Sequence, residues 1–127
     1  MPSATAALRR PDAAAAVLTK ATLRAAGLLG LNNAALARIV GVSESTVSRM
    51  AAGDRQFDLG SKPAELAALL VRVYRSLDAL VGNSDQQRQL WMSSFNQAFN
   101  AAPRDSIESI EGLVRVVRYL DGARALV

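Results

Sequence analysis

The side chains with the most evident chemistry form a short polar run in the first half of the chain. Five of them lie close together: Glu44, Ser45, Thr46, Ser48 and Arg49. On a helix with Val47 turned inward, Glu44, Ser45 and Ser48 fall near the outer surface, with Arg49 beside them. Arginine pairs with guanine or clasps a phosphate, serine contacts bases weakly, and glutamate accepts from cytosine while repelling phosphate. The run therefore indicates a DNA-binding surface, against the alternative of an ordinary solvated helix.

The residues before this run predict a second short helix that meets it at a steep angle. In "ARIVGVSESTVSRM", Ala37 is small enough for a close helix crossing, and Gly41 tolerates the positive φ that a turn requires. Ser43 can start the second helix by accepting backbone N–H groups, and Val47 wedges it against the first. This is the pattern of a helix-turn-helix, which presents its second helix to the DNA major groove.

Further candidate DNA contacts flank the pattern. Asn33 begins the preceding helix, where a side-chain amide and backbone N–H groups can bind a phosphate. Arg55 and Lys62 follow in a loop, and each is either a phosphate contact or a solvated charge. The predicted DNA-binding set is Asn33, Ser43, Glu44, Ser45, Thr46, Ser48, Arg49 and Arg55.

The composition argues against catalysis. The 127 residues include no histidine and no cysteine, so the commonest general base, metal ligand and thiol nucleophile are all missing. The carboxylates Asp105, Glu108 and Glu111 form the one acidic cluster, at a predicted helix start, where acidic residues complement the helix dipole. We expect no catalytic residue, no metal and no cofactor. The net charge of +4 lies in the N-terminal half, which is compatible with a polyanionic partner.

Glycine and proline divide an otherwise helix-forming sequence, which predicts an all-α fold. We expect a flexible tail over 1–11, a helix-turn-helix region over 12–62, and a helical dimerisation and partner-binding region over 63–127. Asp12 is expected to cap the first helix, and Asn32 or Asn33 the second. Ser61 opens a long helix with apolar residues on most turns, which predicts burial on more than one side. The last segment favours strands locally, but its apolar spacing is helical.

The second half of the chain resembles a known family. Its features are "SKPAELAALLVRVYRSLDALVGN", Trp91, Asn96, Pro103 and the terminal "EGLVRVVRYLDGARALV". Together with the helix-turn-helix, these resemble the Xre/MbcA/ParS-type antitoxins over about residues 15–127.

The resemblance implies a partner and a mechanism. Such antitoxins are encoded beside a RES-domain toxin that depletes NAD; they block its active site through the C-terminal domain and repress their own operon. The implied partners are operator DNA, the RES-domain toxin and a second copy of the chain, in the bacterial cytoplasm and without a membrane. The implied toxin-binding residues are Trp91, Asn96, Arg115, Arg118, Arg124 and Val127. Deletion of residues 112–127 is then expected to abolish toxin neutralisation.

Several of these residues also have structural interpretations. Trp91 is a candidate core residue, and Asn96 is a candidate for closing its loop. Arg115 can pair with Glu111 on a solvated stripe. The chain also departs from the family in this loop, where Phe95 replaces a proline, and Asn100 and Ala101 replace glycines. The alternative function is a free-standing helix-turn-helix regulator whose C-terminal half only dimerises.

Overall fold

The computed structural model describes residues 11–125, and side chains from Ala13 onwards. Within this range the fold is all-α, as the sequence predicts, with one isolated bridge between Asn96 and Ala101. The helices are α1 (Pro11–Leu28), α2 (Asn33–Val40), α3 (Glu44–Ala51), α4 (Lys62–Val81), α5 (Asp85–Ser93), α6 (Pro103–Ser106) and α7 (Ile110–Ala125). The predicted tail lies outside the described residues except for Pro11.

Side-chain caps define where most helices begin. The Asn32 amide oxygen accepts from the backbone N–H of Ala35 at 2.8 Å, so Asn32 rather than Asn33 caps α2. Ser43 and Ser61 cap α3 and α4, as predicted, and each satisfies a backbone N–H that the first helical turn leaves free. The prediction that Asp12 caps α1 is wrong, because the helix begins at Pro11 and Asp12 is its second residue.

The longest helix, α4, forms the centre of the fold. It packs against α1 on one side and α7 on another. Leu70, Val73 and Leu77 of α4 are fully buried, and so are Val116 and Leu120 of α7. The prediction that this helix is buried on more than one side is therefore confirmed. None of the helices in the described range has the length and apolarity needed to cross a bilayer.

A glycine allows α7 to approach the short helix α6. A Cβ on Gly112 would lie 1.9 Å from the carbonyl oxygen of Ser106, a distance that no side chain can occupy. The Gly112 N–H also donates to the hydroxyl of Ser109 at 3.0 Å. The strand-favouring valines of this segment lie in a helix, as their apolar spacing predicts, and Val116 and Val117 are buried in the core.

Candidate DNA-binding and partner-binding surfaces

Helices α2 and α3 form a tight helical corner. Gly41 adopts φ 75°, and its N–H and that of Val42 both donate to the carbonyl of Ala37, at 2.9 and 3.1 Å. Ala37 is buried where the helices meet, and Val47 is fully buried beneath α3. The corner therefore has the form of a helix-turn-helix, with α3 as the outer helix.

The exposed face of α3 carries most of the predicted DNA contacts. Glu44, Ser45, Ser48 and Arg49 are all exposed, as is the capping Ser43. The Ser43 hydroxyl is already engaged, because it accepts from the N–H of Thr46 at 3.1 Å and hydrogen-bonds the hydroxyl of Ser45 at 3.1 Å. Arg49 is the only cation on the described part of this face, so it is the side chain best suited to contact a guanine or a phosphate.

Thr46 differs from the other predicted DNA contacts in its burial. Its side chain is buried, and its hydroxyl hydrogen-bonds that of Ser43 at 2.8 Å. The residue precedes Val47 on the inner side of the helix, so its polar group stabilises the start of α3 and does not reach the exposed face. We therefore leave Thr46 out of the candidate DNA-binding surface.

The flanking candidates differ in how free they are to bind a phosphate. Asn33 is exposed at the first position of α2, since the capping role belongs to Asn32. Arg55 is exposed in the loop after α3, whereas Lys62 pairs with Glu65 at 3.1 Å. Asn33 and Arg55 thus remain the better phosphate candidates.

The loop that carries Arg55 is fixed by a residue two positions later. Phe57 is buried, and its N–H donates to the hydroxyl of Thr19 on α1 at 3.0 Å. The sequence reasoning missed this anchor, although a lone aromatic residue in a polar loop was a visible signal. The anchor holds the loop backbone next to α1 and so limits where Arg55 can reach.

Three aromatic rings, of which Phe99 is buried, pack together at the C-terminal surface. Trp91 lies edge-on to Phe99, with ring centroids 6.1 Å apart, and stacks on Tyr119 at 6.4 Å. Trp91 is half-buried and packs against the core, while Tyr119 remains 44% exposed. Trp91 therefore supports the core as a half-buried residue, while its role in toxin contact stays a prediction.

Asn96 closes the loop between α5 and α6. Its side-chain oxygen accepts from the N–H of Ala98, and its backbone N–H donates to the carbonyl of Ala101, both at 3.0 Å. Asn100 adopts φ 54°, a left-handed conformation that asparagine tolerates better than most residues. The structural interpretation of Asn96 thus has a geometric basis, and the asparagine at position 100 suits the backbone there.

The terminal arginines differ in their partners. Arg115 pairs with Glu111 at 3.2 Å, one turn earlier on α7. Arg118 and Arg124 are exposed, and neither forms an ion pair with another described residue. Asp121 is not available to them, because it binds Arg72 and Ser76 of α4. Val127, the last predicted toxin contact, lies outside the described residues.

A buried arginine that the sequence reasoning missed holds α5 in place. Arg88 is 3% exposed, and its guanidinium donates to Asp78 at 2.8 Å and to Asp85 at 2.5 Å. These hydrogen bonds, first that to Asp78, raise the pKa of Arg88 against the opposing effect of desolvation. The charge also lies 5.5 Å from the ring centroid of Tyr74. Its burial depends on partners from other helices, so the local pattern "DQQRQL" gave no sign of it.

An ion pair between Arg38 and Glu108 joins the helical corner to the C-terminal surface. The hydrogen bond to Glu108 raises the pKa of Arg38. Across residues 11–125, no group of three or more acidic residues has the arrangement of a metal site.

Two family models match the chain, and each matched segment contains one of these two surfaces. Residues 9–72 match the antitoxin Xre-like helix-turn-helix domain. Residues 76–125 match the antitoxin Xre/MbcA/ParS C-terminal toxin-binding domain. A search of curated proteins gave no match. The exposed face of α3 falls in the first segment, and the aromatic cluster and the α7 arginines fall in the second.

Proposed function

Since the chain belongs to the Xre-type antitoxins, we propose that its partner is a RES-domain toxin that depletes NAD, and that it neutralises this toxin by covering the active site. As an antitoxin of a toxin–antitoxin system, the chain binds DNA through its helix-turn-helix. The observation that carries the proposal is that one chain has two separate exposed surfaces. The exposed face of α3 lies within residues 9–72, and the surface with Trp91 and the α7 arginines lies within residues 76–125.

On the DNA side, α3 enters the major groove of the operator. Arg49 contacts a guanine or a phosphate, while Asn33 and Arg55 contact phosphates on either side. A single helix-turn-helix gives low affinity, so the chain acts as a homodimer that contacts two half-sites about one DNA turn apart. Binding upstream of its own gene represses the operon.

On the toxin side, the mechanism is occlusion without chemistry. The chain has no histidine or cysteine to act on the toxin or on NAD. Trp91 and the exposed arginines Arg118 and Arg124 supply an aromatic and cationic surface, the residue types enriched where protein partners bind tightly. While the toxin is bound to this surface, its active site is covered and its substrate does not enter.

Expression of the adjacent reading frame in bacteria, with and without this chain, tests the proposal. The toxin alone is expected to lower cellular NAD and stop growth, and co-expression of the chain to restore both. Toxicity without NAD loss would contradict the RES assignment. An adjacent product that is harmless and does not bind the chain would contradict the antitoxin proposal and favour a free-standing regulator.

A further inference from the structure

An open groove lies between α5 and the loop that follows it, with a volume of about 250 Å³. Leu90 and Phe95 line it and are 56% and 65% exposed, although both side chains are large and apolar. Trp91 forms a further wall. Large apolar side chains gathered at one exposed place mark an interaction site, whereas scattered ones do not.

The rim of the groove is polar but uncharged. Gln87, Ser94 and Asn96 line it beside the apolar residues. An apolar centre with a hydrogen-bonding rim is the usual anatomy of a binding hot spot, because the rim excludes water from the anchor residues. The groove therefore suits an apolar side chain of a partner, flanked by backbone or amide groups.

The helix that carries Leu90 is held rigidly. Arg88 ties α5 to α4 through Asp78, and the side-chain amide of Gln89 donates to the carbonyl of Leu28 at 2.8 Å. A surface fixed before binding loses little conformational entropy when the partner arrives. The wall of the groove that carries Leu90 is thus fixed before binding.

The groove lies beside α7, which it meets through Trp91. Trp91, a wall of the groove, stacks on the half-exposed Tyr119, and Arg118 precedes Tyr119 on α7. All the residues that line the groove lie within 76–125, the segment that matches the toxin-binding domain. A partner that fills the groove and extends over α7 would meet an exposed positive charge there.

A second copy of the chain fits this surface less well than the toxin. A stable homodimer buries roughly 800 Å² or more per subunit and has a largely apolar interface. Here only two exposed anchor residues, Leu90 and Phe95, are surrounded by polar groups, and the neighbouring α7 carries the exposed charge of Arg118. The surface therefore suits a partner that presents an apolar side chain next to carboxylates.

We propose that Leu90 and Phe95 are the apolar anchors of the toxin-binding surface, and that they receive an apolar side chain of the toxin beside carboxylates that pair with Arg118. The inference rests on the proposed function, since it assigns a contact to the same toxin. It also adds Leu90 and Phe95 to the toxin-binding residues expected from the sequence.

The test compares alanine variants of the full chain with a matched control. Phe95→Ala and Leu90→Ala each remove an exposed anchor, whereas Val17→Ala removes a 69% exposed apolar side chain on α1, far outside the matched toxin-binding segment. Titration calorimetry with the protein encoded by the adjacent reading frame measures the dissociation constant. We expect it to rise about 30-fold for Phe95→Ala, the effect of losing a hot spot, and to change less than about twofold for Val17→Ala.

The outcomes separate this inference from the proposed function. A wild-type chain that does not bind the toxin would overturn both. A wild-type chain that binds, together with Phe95→Ala and Leu90→Ala variants of unchanged affinity, would overturn only the groove. Sedimentation of the free variants tests the remaining alternative. If Phe95→Ala or Leu90→Ala lost self-association but retained its affinity for the toxin, the groove would be a contact with a second copy of the chain.

Discussion

Arg38 and Glu108, 70 positions apart in the sequence, form an ion pair between the helix-turn-helix and the C-terminal domain. Arg38 lies on α2, and Glu108 lies between α6 and α7. A second pair, between Arg72 and Asp121, joins α4 to α7. The longest helix itself runs through residues 73–75, between the two matched segments, without a break. The two domains therefore pack as one body over the described residues.

This packing predicts one cooperative unfolding transition for the chain. The cores of the two segments share α4, so neither can unfold and leave the other intact. Differential scanning calorimetry is expected to give a calorimetric enthalpy equal to the van't Hoff enthalpy. Two resolved transitions would show that the segments are independent units.

Arg88→Ala is expected to lower the free energy of unfolding by about 2–4 kcal/mol, because it leaves the carboxylate of Asp78 without its partner and opens space beside α5. Arg75→Ala is the matched control, since Arg75 is exposed on α4, and its effect should stay within about 0.5 kcal/mol. Urea unfolding measures both. Equal effects would mean that Arg88 is not part of a buried network.

Two glycines of α7 are expected to respond in opposite ways to alanine. Gly112→Ala places a methyl group against the backbone of Ser106 and should destabilise the fold by about 1–3 kcal/mol. Gly122→Ala meets no atom within 4 Å and should stabilise the helix by about 0.5–1 kcal/mol. Thermal or urea unfolding of the two variants gives the comparison. A neutral Gly112→Ala would contradict the close approach of α6 and α7.

The sequence was sufficient for features that depend on neighbouring residues. Ser43 and Ser61 cap their helices, and the turn at Gly41 has the predicted positive φ, because these features need only local backbone groups. The same holds for the exposure of Arg49 opposite the buried Val47, which follows from helical periodicity.

Features that depend on distant partners were not predictable in the same way. The burial of Arg88 requires Asp78 on another helix, and the anchor at Phe57 requires Thr19 on α1. The expected deletion of 112–127 is also a poor test of toxin contact. It would remove Leu113, Val116 and Leu120 from the core, so lost neutralisation would report unfolding. Arg118→Glu keeps the core and tests the surface directly.

Arg49→Ala is expected to weaken binding to operator DNA by about 1–3 kcal/mol while leaving toxin binding unchanged, because Arg49 lies on the exposed face of α3, outside the toxin-binding segment. The matched control is Arg24→Ala, which removes an exposed arginine from α1. Its operator affinity should stay close to that of the wild type.

The most direct test of the two-surface mechanism is a mobility-shift titration of DNA from upstream of the gene, with the purified chain and then with toxin added. Wild-type chain should shift the DNA, Arg49→Ala should shift it only at roughly 5- to 150-fold higher concentration, and both should still bind toxin in a pull-down. If Arg49→Ala shifted the DNA as well as the wild type, α3 would not be the DNA-binding helix. If it lost toxin as well as DNA, the two surfaces would not be separate.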